Sequence, residues 1–356
     1  MTSLPTELPQ SVQCIANIVS AYNICLRLEK SLQEDIDNGK DVGLDMICSR
    51  VLGYLILFAQ GYEGLKIIVH QIHTCANDTP KLLAVGKLYF DDYIWAFRAN
   101  RSRIRTPSTQ SSRSSYDSSA KRIGTTLVEA PQSYADAKSN ALIRDRYRCV
   151  VTGKYDWPTV SGNRELQEVF RSDPDAKMAF TQCAHIFTES SNLSIAPGTD
   201  KRSYAAAMWA AMDRFDHKIL LPTELNGSGI HRLPNVMTME ADFHNFFDRF
   251  YVWFVPTKEK NKYKLESSSE FVLHQYPTHV TFTTSDPIKL PVPSPTYLAM
   301  HAACAKIAHL SGAAEYTNKF YRDMEDSTTL DADGASAHML EHALIDLRAV
   351  GYEVVP

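Results

Sequence analysis

The stretch RSRIRTPSTQSSRSSYDSSAKR, residues 101–122, constrains the fold more than any other part of the chain. It carries almost no large apolar side chains, so it cannot bury enough surface to offset the entropy of ordering. It divides the chain, and 356 residues leave room for two or three packed units. Arg101, Arg103, Arg105, Arg113, Lys121 and Arg122 make the stretch basic. A tether accounts for it; a nonspecific phosphate contact or a phosphorylated serine cluster is the weaker alternative.

Four parts follow from this break: a helical N-terminal region (1–100), a Ser/Arg-rich linker (101–132), a mixed domain (133–260), and short strands with C-terminal helices (261–356). Within the first, VQCIANIVSAYNICLRLEKSLQ and LDMICSRVLGYLILFAQ place apolar residues at helical spacing. The most apolar window, VLGYLILFAQGYEGLKIIVH at 51–70, is broken by Gln60, Glu63 and Lys66, so we expect a buried helix pair rather than a membrane span. The stretch 133–157 predicts a helix followed by a strand ending at Thr152-Gly153, and 262–284 alternates like short strands. PTYLAMHAACAKIAHLSGAAEYTNKFYRDMED and ASAHMLEHALIDLRAV predict two closing helices.

The formal net charge of −4 gives no global basic field, so any nucleic-acid contact must come from a local patch. Seven scattered cysteines without a repeated C-x-x-C suit free thiols in a reducing compartment. The opening MTSLPTELPQ has no charged n-region before an apolar h-region. We therefore expect a soluble, intracellular protein of cytoplasm or nucleus, with no membrane partner and no small-molecule cofactor.

The chemistry concentrates in three consecutive elements. A strand, MAFTQCAHI, ends at His185; a second, PNVMTM, begins at Asn235; a helix, EADFHNFFDRFYVWF, carries His244 and Asp248. Phe243, Phe246, Phe247 and Phe250 fall at i, i+3, i+4 and i+7 and form a core-facing stripe. His244 and Asp248 stand four apart on an adjoining stripe, where their side chains can meet. Thr238 is the candidate N-cap, with Glu240 and Asp242 suiting the helix start. Each residue also has a plain structural reading. A histidine at a strand end is commonly a hydrogen-bonded core residue, Asn235 after a proline can simply start a turn, and Asp248 can pair with Arg249 or Arg214. Cys149 and Cys183 read as buried thiols.

RDRYRCVVTG, then CAHI, then RLPNVMTMEADFHNFFDRFYVWFVP together resemble the HNH endonuclease family, and in particular a group of fungal proteins carrying that domain. The resemblance is strongest over about 140–256 and implies an α+β protein whose central domain has the ββα-metal fold. It implies a metal-dependent endonuclease hydrolysing phosphodiester bonds in DNA, with RNA left open. His185 is then the general base that activates water, Asn235 fixes its orientation, and His244 binds a divalent ion (Mg²⁺, Mn²⁺ or Zn²⁺), with Asp248 as a further ligand or support. Arg146 and Arg148 become candidates for phosphate contact. A neutral imidazole near its solution pKa can take a proton from water, and a divalent ion can act as a Lewis acid on phosphate. One position departs from the pattern: many such nucleases place a ligand just before the catalytic histidine, where this chain has Ala184. Gln182 and Cys183 are the neighbours within reach. The rival reading is a catalytically silent HNH-like module that binds nucleic acid or a protein partner.

Three further signals carry less. HMLEH (338–342) fits an inverted zinc-protease pattern but has only fourteen residues after it for a third ligand. TLDADG (329–334) lacks the carboxylates of a calcium loop. NGSGI (226–230) lacks the framing of a nucleophile elbow and reads as a glycine turn.

Overall fold

The computed structural model describes residues 2–13, 15–59, 61–95, 134–187, 206, 209–212 and 224–326. The linker, Arg214, TLDADG and HMLEH lie outside them, as does the predicted closing helix. The chain is a mixed α+β protein that divides into two units. Met1–Val128, Ser194–Thr223 and Lys306–Pro356 form the first; Glu129–Leu193 and Glu224–Ala305 form the second. The unit that holds the candidate site thus continues beyond 260, and the residues from Ser194 to Thr223 fall to the other one.

The first unit opens with α1 (Gln10–Gln13), α2 (Ala16–Asp37), α3 (Gly43–Phe58), α4 (Tyr62–Thr74) and α5 (Thr79–Tyr89). α2 buries Ile18, Ala21, Cys25, Leu28 and Leu32, one stripe at helical spacing. α3 is buried continuously from Met46 to Ile56, which explains why its sequence is apolar all round. The apolar window falls on α3 and α4 as a helix pair, and among the described residues no helix is long and apolar enough to cross a membrane. Gly86 lets α5 close on α3, since a Cβ there would collide with the Cys48 carbonyl. A buried ion pair, Arg50 Nε to Glu29 Oε1 at 2.6 Å, also receives the Leu4 backbone N–H and so straps the chain's start across α2 and α3.

The second unit is built around a two-stranded ribbon. Its elements are α6 (Tyr134–Arg144), β1 (Tyr155–Asp156), α7 (Trp157–Gly162), α8 (Arg164–Ser172), β2 (Met178–Ala179), β3 (Thr181–His185), β4 (Val236–Glu240), α9 (Ala241–Asp248), β5 (Val252–Pro256), β6 (Lys262–Ser267), α10 (Glu270–Leu273) and β7 (His279–Thr281). β3 and β4 pair antiparallel with His185 opposite Val236 and Ala184 opposite Met237. Directly opposed residues share a face. One face, with Cys183 and Val236, packs on Ala137 and Ala141 of α6; the other carries Gln182 and Ala184 and receives α9. β5, β6 and β7 form a separate antiparallel sheet, and β1 pairs parallel with β2.

Several boundaries differ from those the sequence predicts. The helix predicted over EADFHNFFDRFYVWF stops at Asp248, and VWFVP is a strand. Phe250 takes φ 62°, Tyr251 N–H donates to the Phe246 carbonyl, and Phe250 N–H donates to the Phe247 carbonyl. That is a Schellman ending without the usual glycine. The same ending closes α6, where Tyr147 N–H reaches Leu142 and Arg146 takes φ 56°. No strand ends at Thr152-Gly153, which is a turn; β1 begins at Tyr155. Thr238 is not the N-cap of α9 but a β4 residue. Glu240 occupies the cap without a side-chain bond, and the Phe180 carbonyl satisfies the Ala241 N–H instead. The stretch from Pro295 to Asp326 is two helices, α11 (Pro295–Ser311) and α12 (Ala313–Asp326), divided at Gly312 with φ 89°.

At the end of α6 the fully buried Arg144 joins these pieces. Its guanidinium donates to both carboxylate oxygens of Asp145 (2.7 and 2.9 Å) and to the carbonyls of Leu233 and Val236 (2.8 Å each) and Pro291 (3.3 Å). Asp145 in turn accepts the Thr238 N–H at 2.9 Å. Arg144→Met is expected to lower the stability of this unit by about 3–5 kcal/mol, because the substitution strands a buried carboxylate and three carbonyls. The urea midpoint of the second unit, followed by its tryptophans, measures the loss.

Candidate active site

His185 closes β3 and is 8% exposed. Its Nε2 lies 3.3 Å from Nδ1 of His231, with the rings edge to face at 5.4 Å between centroids. Burial, then the nearby His231 and His244, push its pKa down to about 3, against an opposing hydrogen bond to the Cys183 backbone. The ring is therefore neutral at physiological pH. In the ribbon it falls on the face of Cys183 and Val236, whereas His244 meets Gln182 on the other face.

Asn235 is completely buried and does not touch His185 through any hydrogen bond of its side chain. Its Oδ1 accepts the Phe187 N–H, while Nδ2 donates to the carbonyls of Phe187 and Ile230, each at 2.8 Å. The amide thus splints the backbone just after His185 to the backbone just before His231. The NGSGI turn ends in the 3-10 helix Gly227–His231, and Gly229 packs so closely that a Cβ would collide with the Glu224 carbonyl.

On α9, His244 Nδ1 meets Gln182 Oε1 at 2.6 Å and Nε2 faces Asp248 Oδ1 at 3.3 Å. With Nδ1–H donated to Gln182, Nε2 is the nitrogen left facing the carboxylate. Two acceptors at that distance call for a proton or a cation between them. Bonds of about 2.0–2.1 Å to one divalent ion would hold adjacent ligand atoms about 3.0–3.4 Å apart, so this pair fits two neighbouring coordination positions. Ala184, on the same face, adds no donor, and Cys183 faces α6. Among the described residues no group of three or more His, Cys, Asp or Glu side chains is arranged to hold a metal. A bound ion would complete its shell with water and phosphate oxygens.

Of the two candidate phosphate contacts, Arg146 is exposed in the left-handed turn after α6. Arg148 is committed elsewhere: its guanidinium lies 3.9 Å over the Tyr155 ring, hydrogen-bonds Tyr155 Oη, and pairs with Asp173 at 3.2 Å. Both line a groove of about 700 Å³ with Tyr147, Val169 and Phe282, and neither His185 nor His244 lines it. Sequence reasoning missed His231 and Arg144. A histidine in a glycine turn has no periodicity to mark it, although its position four before Asn235 is a usable signal.

A strand pair crossed by a helix, with imidazoles on strand end and helix face, is the ββα arrangement of nucleases that cleave phosphodiesters beside a metal ion. Residues 149–255 match the family model described as HNH endonuclease, so the central part of the chain is an HNH endonuclease-family domain. The matched segment contains His185, His231, Asn235, His244 and Asp248, whereas Arg146 and Arg148 precede it. No curated protein and no solved structure matches the chain.

The titration of His185 has a consequence for stability. Its folded pKa lies below that of an unfolded histidine, so the unfolded chain binds more protons between about pH 6.5 and 3. The stabilising contribution is complete above pH 6.5 and is lost as pH falls toward 3. Buried His301, stacked on Phe247 at 3.8 Å, is shifted the same way by burial. The urea midpoint of this unit should fall between pH 7 and 4, and the slope should be shallower in His185→Gln.

Proposed function

We propose that the central domain is a metal-dependent endonuclease that hydrolyses phosphodiester bonds in DNA. The observation that carries this reading is that His185 ends β3, Asn235 precedes β4 and the His244–Asp248 pair lies on α9, inside a segment that matches HNH endonucleases. His185 is the general base: it is neutral at working pH and able to take a proton from water. Asn235 is a positioning residue, acting through the backbone on both sides of the base. His244 and Asp248 would hold the divalent ion, which supplies Lewis-acid stabilisation of charge on the phosphate. Arg146 suits a phosphate contact; Arg148, paired with Asp173, suits one less well. We place the protein inside the cell, in cytoplasm or nucleus, where thiols such as Cys149 and Cys183 stay reduced.

A second reading has its own support. His185 is nearly enclosed and Ala184 offers no ligand, which favours an HNH-like module that binds nucleic acid or a protein partner without cutting it. Plasmid nicking over Mg²⁺, Mn²⁺, Ni²⁺ and Zn²⁺, with an RNA substrate alongside, separates the two. The hydrolase reading expects nicking with at least one ion and a loss of about 10²–10⁴-fold in His185→Ala. Nicking that survives His185→Ala unchanged removes that residue as the base, and metal-independent binding without nicking supports the silent module.

A further inference from the structure

The two ring nitrogens of His244 are engaged by different elements. Nδ1 meets Gln182 Oε1 of β3 at 2.6 Å, and Nε2 faces Asp248 Oδ1 of α9 at 3.3 Å. The contact within the helix follows from the i, i+4 spacing alone. The contact to the strand needs α9 seated on the ribbon in one rotation. Two anchors supply that: the Phe180 carbonyl accepts the Ala241 N–H at the helix start, and Phe243 and Phe247, which bracket His244 in sequence, are buried.

Side chains alternate along a strand, so β3 turns Gln182 and Ala184 toward α9, opposite Met239 and Met237 of β4. Gln182 is thus the polar group that this face of β3 sets against the helix, and it is exposed rather than part of the core. An amide oxygen only accepts. At 2.6 Å from Nδ1 it requires a proton on that nitrogen, because two lone pairs would repel. Nε2 is then the position that exchanges a proton for an ion, beside the Asp248 carboxylate. Turning the amide over reverses the result: its NH₂ donates to Nδ1, Nε2–H donates to Asp248, and the pair is closed to an ion. The arrangement with the oxygen toward Nδ1 suits a metal pair, since a metal-binding histidine donates its other ring N–H to an acceptor that fixes tautomer and ring orientation.

We propose that Gln182 is a positioning residue for a divalent cation, holding the proton of His244 on Nδ1 so that Nε2 and Asp248 coordinate the ion together. This deepens the hydrolase reading and rests on it for the role of His244 and Asp248 as ligands.

The test uses the full chain stripped of metal and titrated calorimetrically with Mn²⁺ and with Zn²⁺ alone, thermal melts confirming that each variant folds. Wild type, Gln182→Leu, Gln182→Ala, Gln182→Glu and His244→Ala are compared. Wild type should bind an ion whose binding is lost in His244→Ala. Gln182→Leu and Gln182→Ala should weaken that binding by about 10–100-fold, whereas Gln182→Glu, which keeps an acceptor, should bind at least as tightly as wild type. Long-range ¹H–¹⁵N spectra of ion-free protein with labelled histidine, recorded at pH 8, add a readout that a merely structural role does not move. The His244 proton should lie on Nδ1 in wild type and Gln182→Glu, and should pass to Nε2, beside Asp248, in Gln182→Leu and Gln182→Ala. With an ion bound by wild type through His244, either readout unchanged in a folded Gln182→Leu or Gln182→Ala overturns the proposal and leaves the metal pair standing. Wild type that shows no binding dependent on His244 removes the metal pair of the hydrolase reading, and the proposal falls with it.

Discussion

The second unit depends on a buried guanidinium. Arg144 brings a full charge out of water, and such a charge persists only when its donors are matched. It finds Asp145 beside it and three backbone carbonyls from segments far away in sequence: Leu233, Val236 and Pro291. Leu233 and Val236 flank Asn235. The arginine therefore fixes, from the end of α6, the same loop whose asparagine grips the residues beside His185 and His231. Remove it and the polar tie is lost, leaving the apolar packing of Ala137 and Ala141 on Val236 and Leu233 to hold α6 to both sides of Asn235.

Two polar clamps thus share one short segment, and their division of labour explains how a site with few acidic groups can be well ordered. Arg144 holds the backbone from outside, by charge. Asn235 holds it from inside, by a neutral amide whose acceptor and two donors are used on backbone groups. An amide adds no charge beside the base, whereas an aspartate there would favour the protonated form of His185. The environment instead keeps that ring neutral through burial and through its imidazole neighbours.

The parts of this site that obey a local period were legible in the sequence. The i, i+4 spacing of His244 and Asp248 does bring their side chains together, and Phe243 and Phe247 do face the core. The β3 strand ends at His185, where the alternating run breaks. What stayed hidden depends on contacts between distant segments or on backbone that hides its signals. Both α6 and α9 end on left-handed residues that are not glycine, so nothing in FDRFYVWF announces where helix gives way to strand. Arg144 and Arg148 look alike in RDRYRC, yet one is a buried clamp and the other lies on Tyr155. His231 is paired only because the turn and the strand end are sewn together by Asn235.

On the hydrolase reading, a base whose pKa lies near 3 is unprotonated at physiological pH but has little affinity for the proton it must take. That weakness belongs to the resting protein. A phosphodiester arriving beside His185 brings a negative charge, which favours the protonated ring and opposes both burial and the influence of the neighbouring imidazoles. A divalent ion beside His244 acts in the other direction. On the hydrolase reading the strength of the base is therefore set by what is bound: low when the site is empty, higher once phosphate is present. The nearly enclosed position of His185 magnifies that difference, because charges interact more strongly where water is scarce. The burial that counts against catalysis in the empty site thus makes the base most responsive to its substrate.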